Sequence, residues 1–119
     1  MKEIEIQTNH ILPFADENQD TFNLIKSGQK TMETRAGGPK YQHIKAGDCV
    51  TFTCRDDSFQ KQVVSVSHFK DIDELLSNYA VKDINPTLST KEEPMAAYSS
   101  FPGYKARIEE FGILVFNLE

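Results

Sequence analysis

Ser27-Gly28-Gln29-Lys30-Thr31-Met32-Glu33-Thr34-Arg35 joins two different periodicities. Upstream, Phe22 and Ile25 lie three apart, as on one face of a helix. Gly28 stands where such a helix ends, because glycine takes the left-handed conformation without steric cost. From about Lys30 the pattern reads as a strand, in which alternate side chains share a face. Glu33 and Arg35 therefore point the same way, together with Thr31. Lys30 has the opposite parity and joins them only if the turn swings it round. A Lys/Glu/Arg cluster then forms, suited to a polar, partly anionic ligand.

Working back from this junction, residues 15–27 read as one or two helical turns followed by a helix, with Asp20 as its N-cap. Residues 10–14 form a stiff lead-in that contains Pro13. Residues 3–7 alternate as a short strand, with Glu3 and Glu5 on a face that suits a sheet edge. Phe14 reads as a packing residue.

Working forward, Ala36-Gly37-Gly38-Pro39-Lys40 is a loop. Tyr41 and His43 follow, either lining a pocket mouth, where an aromatic can stack on a base, or packing on the wall. Ala46-Gly47-Asp48 is a turn. Residues 49–54 are a strand with Val50, Phe52 and Cys54 on one face and Thr51 and Thr53 on the other. Arg55-Asp56-Asp57-Ser58 is a hairpin loop, and residues 60–69 return as a strand with Val64, Val66 and His68 on one face. Asp71 caps a helix whose Ile72, Leu75, Leu76 and Tyr79 bury.

Residues 81–88 read as a connection. The pairs Ser89/Glu92 and Thr90/Glu93 open another helix, with Pro94 in its first turn. Residues 104–111 hold one more short helical stretch. Residues 113–118 are a strand apolar on both faces, hence central.

The 119 residues suit a single domain, 1–119. A net charge of -5 argues against a broad basic groove for extended duplex DNA, while leaving room for a small basic pocket. The start lacks the apolar core of a signal peptide, and no run approaches a membrane span. The expectation is a soluble, cytoplasmic protein with no membrane partner. Cys49 and Cys54 differ by five positions and face opposite sides of one strand, so neither a disulfide nor a metal site is expected. No cofactor is expected either.

Gly28-x-Lys30-Thr31-x-Glu33-x-Arg35 after an aromatic-containing helix resembles the signature of the ASCH domain family, of PUA-like fold. Further matching segments follow in order: Ile44-Lys45-Ala46-Gly47-Asp48, Val63 to Val66, Ile72-Asp73-Glu74-Leu75-Leu76, Asn85-Pro86 and Phe111-Gly112-Ile113-Leu114-Val115. The resemblance spans nearly the whole chain. It implies an α+β fold, a small PUA-like mixed β-barrel with helices packed at its sides, of the stand-alone bacterial or archaeal kind. It also implies an RNA-related role. Phe14 stands where the family commonly carries a Trp.

Three roles follow for the cluster. In the first, Lys30, Glu33 and Arg35 bind RNA, a nucleotide or a modified nucleoside, with Tyr41 and Tyr104 as further lining residues. Lys30 offers a point charge, Arg35 a planar fork, and Glu33 an acceptor for an exocyclic amine. In the second, Lys30 and Glu33 are catalytic. One branch of small ASCH proteins is similar to amidohydrolases that deacetylate N4-acetylcytidine, and its motif lysine matches Lys30. That branch places a Thr nucleophile where this chain has Glu33, and its further acidic residue falls near Asp83 or Ile84. In the third, Glu33 and Arg35 are a plain ion pair on a barrel wall.

Overall fold

A computed structural model describes residues 9–86 and 103–119. The strand expected over 3–7 and the helix expected from Ser89 or Thr90 lie outside them. The described chain forms an α+β fold around a five-stranded mixed sheet. Its elements are β1 (Asn9–Pro13), a 3-10 turn (Asp16–Asn18), α1 (Gln19–Ser27), β2 (Met32–Ala36), β3 (Cys49–Cys54), β4 (Asp57–Phe69), α2 (Ile72–Asn78), α3 (Val81–Ile84), α4 (Tyr104–Phe111) and β5 (Ile113–Leu118). The strand order is β1-β3-β4-β5-β2. β1 runs parallel to β3 and the other pairs are antiparallel. Among the described residues the ladder does not close, and β1 and β2 are its edges.

The thirteen-residue β4 joins the two halves of the sheet. Its first part pairs with β3 and its second with β5. Between them, Val63 pairs with Leu118 and Ser65 with Asn117, which leaves Val64 as a bulge residue. A bulge inserts one residue and reverses parity. This corrects the face expected for Val64: it is exposed, and Val63 is the buried residue. Val66 keeps its inward direction and packs with Val63. His68 is exposed and donates from Nε2 to the Phe111 carbonyl at 2.7 Å.

Two cores form on opposite faces. Leu12, Phe22, Ile25, Val50, Phe52, Val63 and Phe116 belong to the first, which α1 covers. Full burial of Phe22 or Ile25 stabilises by roughly 1.5–3 kcal/mol each. The second holds Met32, Leu75, Ile84, Ile108, Ile113 and Val115, under α2, α3 and α4. β5 contributes to both, as its two apolar faces require.

Several local expectations change. The lead-in at 10–13 is strand β1, because pairing with β3 satisfies its backbone. α1 is preceded by Asn18 rather than capped by Asp20. The 3-10 turn runs straight into the helix, with the Gln19 amide bonded to Asp16, and Asp20 sits in the first turn, where its charge suits the helix dipole. The hairpin loop shrinks to Arg55-Asp56, since Asp57 already pairs with Cys54. The connection after 80 contains α3, whose start is held by the Asp83 carboxylate accepting from the Ala80 amide at 3.3 Å and which buries Ile84. Asp71 caps α2 as expected, accepting from the Glu74 amide at 2.8 Å. No helix among the described residues is long and apolar enough to cross a membrane.

Candidate functional site

The cluster forms at the start of edge strand β2. α1 ends at Gly28 with φ 86°, and the Lys30 amide turns back to the Leu24 carbonyl at 3.0 Å. That turn swings Lys30 round, against its strand parity. Its ammonium lies 3.9 Å from Glu33 Oε1 and donates to the Met32 carbonyl. Glu33 and Arg35 share the first-core face, as alternation requires. Lys30 and Glu33 are only 4% and 5% exposed, so this is a buried cluster and not an ion pair on a solvated wall. Thr31, expected beside them, is exposed, because β2 begins one residue later.

Glu33 uses its two oxygens differently. Oε2 accepts from Arg35 Nε at 3.0 Å and faces Nη2 at 3.0 Å. Oε1 accepts from the Thr34 amide at 3.1 Å and faces Lys30. Arg35 Nη1 and Nη2 both reach the Pro13 carbonyl on β1 at 3.2 Å, and Nη1 reaches the Tyr41 hydroxyl at 3.4 Å. Phe14 packs edge-on against Phe22 and Phe52, as its packing role requires, and also lies under the guanidinium at 4.9 Å. Tyr41 is buried in the first core with Arg35 over its ring at 5.7 Å. It therefore offers its hydroxyl rather than a free stacking face.

Tyr104 approaches from the other side. From α4 its hydroxyl accepts the Ala36 amide at 3.2 Å. Leu118 donates to Thr31 and Gly37 to Gly112, so odd-numbered residues of β2 bond toward β5 and even-numbered ones face outward. Lys30 on Met32, Glu33 on Thr34 and Tyr104 on Ala36 thus each satisfy an outward backbone group. The site residues also blunt the sheet edge, an exposed template for unwanted pairing.

The electrostatics follow from burial. Burial lowers the Lys30 pKa; Glu33 opposes that and Arg35 reinforces it. Burial is the largest single influence on Arg35 and acts against its charge, but the Glu33 carboxylate together with Tyr41 and Tyr104 outweighs it, and the guanidinium stays above its ordinary value. Burial pushes the Tyr104 phenol up.

Four of the features at this site escaped the sequence: the Pro13 carbonyl, the Phe14 face, the Thr34 amide and the outward groups of β2. Three of these are backbone atoms and carry no residue signature. His43 is exposed. Asp83 is exposed and engaged on its own helix, and Ile84 is a core residue. Away from the cluster, buried Asp48 accepts from Lys45 at 3.1 Å and pairs with His10 at 2.9 Å. Among the described residues, no three His, Cys, Asp or Glu side chains gather as metal ligands.

No family model matches the chain, and no curated protein matches it. Solved structures do. Hypothetical protein PH0355 aligns with a TM-score of 0.76 at 21% identity, over 96% of this chain and 98% of its own. Protein PF0455 from Pyrococcus furiosus, known in solution, aligns with a TM-score of 0.71 at 20% identity, over 96% of each chain. At such identity the likeness is one of architecture, and it assigns this chain the α+β fold of those two proteins along nearly its whole length.

Proposed function

We propose that the chain binds a nucleobase-bearing ligand, as a nucleotide, a modified nucleoside or a small RNA element, at the Lys30/Glu33/Arg35 cluster. The observation that carries this is the pairing of Lys30 Nζ with Glu33 Oε1, 3.9 Å apart and buried. A donor and an acceptor stand side by side, out of water. The edge of a pyrimidine presents the complementary pair, an N–H or amine next to a ring nitrogen or carbonyl. Two cations against one carboxylate leave one positive charge unmatched, which favours a ligand with anionic character. The Tyr41 hydroxyl accepts from Arg35 and keeps its own hydrogen to donate. The ASCH resemblance supports the same reading.

A second reading, an amidohydrolase acting on N4-acetylcytidine-like nucleosides, draws on the lowered pKa of Lys30. A lowered pKa shifts this amine toward the neutral form, the form that can accept a proton from water beside Glu33. The acid expected near Asp83 or Ile84 does not assist, because Asp83 is engaged on α3.

Thermal shift with cytidine, cytidine 5′-monophosphate, uridine 5′-monophosphate and N4-acetylcytidine tests both. Binding raises the melting temperature with ligand concentration in the native chain and not in Lys30→Met. Release of cytidine from N4-acetylcytidine, lost in Lys30→Met, would favour the hydrolase. The absence of any shift and of any turnover would refute both readings.

A further inference from the structure

Every nitrogen of the Arg35 guanidinium already faces an acceptor. Nε meets Glu33 Oε2 at 3.0 Å. Nη2 meets the same oxygen at 3.0 Å and the Pro13 carbonyl at 3.2 Å. Nη1 meets that carbonyl at 3.2 Å and the Tyr41 hydroxyl at 3.4 Å. Four hydrogen bonds and the Nη2 ion-pair contact with Glu33 thus engage all three guanidinium nitrogens. The rings of Phe14 and Tyr41 lie against the group at 4.9 and 5.7 Å. Lys30 differs. Its three hydrogens serve one hydrogen bond, to the Met32 carbonyl, and Glu33 lies at 3.9 Å, beyond hydrogen-bond length.

We infer that Arg35 is a positioning residue: it ties edge strand β1 to edge strand β2 and fixes Glu33 Oε2, which leaves Lys30 as the cation that meets the ligand. The Lys30 half rests on the binding reading above; the Arg35 half rests on geometry alone. A phosphate fork at Arg35 would have to displace the Glu33 and Pro13 contacts. A ligand at Lys30, the Tyr41 hydroxyl and Glu33 Oε1 displaces none of them. Arg35 therefore sets where Glu33 stands and is not itself a recognition group.

Nitrogen-15 NMR of the arginine side chains in the intact chain tests this, with the Arg35 signals identified by their loss in Arg35→Lys. The expected result is separate, slowly exchanging Nη protons for Arg35 against averaged, fast-exchanging ones for exposed Arg55. Addition of cytidine 5′-monophosphate should leave the Arg35 signals in place. The Glu33 carboxyl carbon-13 signal should move in Arg35→Lys and not in Arg55→Lys. Averaged, fast-exchanging Arg35 protons would overturn the inference, as would Arg35 signals that shift on adding the nucleotide. If the native chain does not bind the nucleotide, the binding reading fails by itself, and the exchange of the Arg35 protons still decides the role of that residue. Should Arg35→Lys fail to fold, selective labelling of the native chain gives the same exchange measurement.

Discussion

Arg35 on β2 and Pro13 on β1 meet across the open side of the sheet, with both terminal guanidinium nitrogens 3.2 Å from one carbonyl oxygen. These are the two outermost strands of five. One side chain therefore spans the gap that a ladder of backbone bonds leaves. Arg35→Met removes this link and strands the buried Glu33 carboxylate. Loss of one partner of a buried pair costs about 3–5 kcal/mol. Urea denaturation should show a loss of that order, and Glu33→Gln added to Arg35→Met should restore part of it. A loss below about 1 kcal/mol, typical of an exposed pair, would contradict this account.

Lys30 gives stability a pH dependence of known sign. Its folded pKa lies below the ordinary value of 10.5. Between the two values the unfolded chain holds a proton that the folded chain has released, so stability rises with pH across that window. Below the folded value both states are protonated and the cost of the buried ammonium is constant. The stability of the native chain minus that of Lys30→Met should climb as pH approaches 10.5. Tyr104, raised above 10.0 by burial, contributes the opposite slope at higher pH, but it does so in both proteins and cancels. A flat difference would place Lys30 in water.

Gly28 and Gly112 both have positive φ, 86° and 79°, yet alanine should affect them unequally. A Cβ at Gly28 meets nothing within 4 Å, so Gly28→Ala costs only the backbone strain, about 1–2 kcal/mol. A Cβ at Gly112 would overlap the Phe69 carbonyl and the His68 ring as well. Gly112→Ala should lower the melting temperature well beyond Gly28→Ala. Equal losses would mean that the approach of β4 to Gly112 is loose.

Tyr104→Phe leaves the buried Ala36 amide without its hydroxyl acceptor on the side of β2 away from β5. An unsatisfied buried donor costs about 1–3 kcal/mol. Amide hydrogen exchange should speed up at Ala36 more than at Gly37, whose amide bonds to Gly112 within the sheet. Equal acceleration at both would indicate general loosening of the strand instead.

The legible parts of this fold are those whose periodicity and neighbours agree. Strand β3 was readable to the residue because Val50, Phe52 and Cys54 alternate with Thr51 and Thr53, and the buried faces follow that alternation. β5 was readable as central from its two apolar faces, and α2 from the Asp71 cap and the Leu75 stripe. β1 was not, because its pairing is with a strand far along the chain and Pro13 argued for a rigid connection. α3 escaped because one turn with one buried residue carries no period. In the site, Glu33 and Arg35 followed from parity. The position of Lys30 depended on a turn that a short motif does not encode, and Pro13 contributes only a backbone oxygen.

The bulge in β4 has a bearing on chain length. Val63 and Ser65 already pair with successive residues of β5, Leu118 and Asn117. Removing Val64 would therefore join two residues whose partners are adjacent, and Val63 and Val66 would still share a face. Removing Gln62, which pairs with Cys49 just before Val63, would instead turn the rest of the strand inside out. Position 64 is thus the place in β4 where the chain can lose a residue without exchanging its wet and dry sides, and a length difference among distant relatives within this strand belongs there.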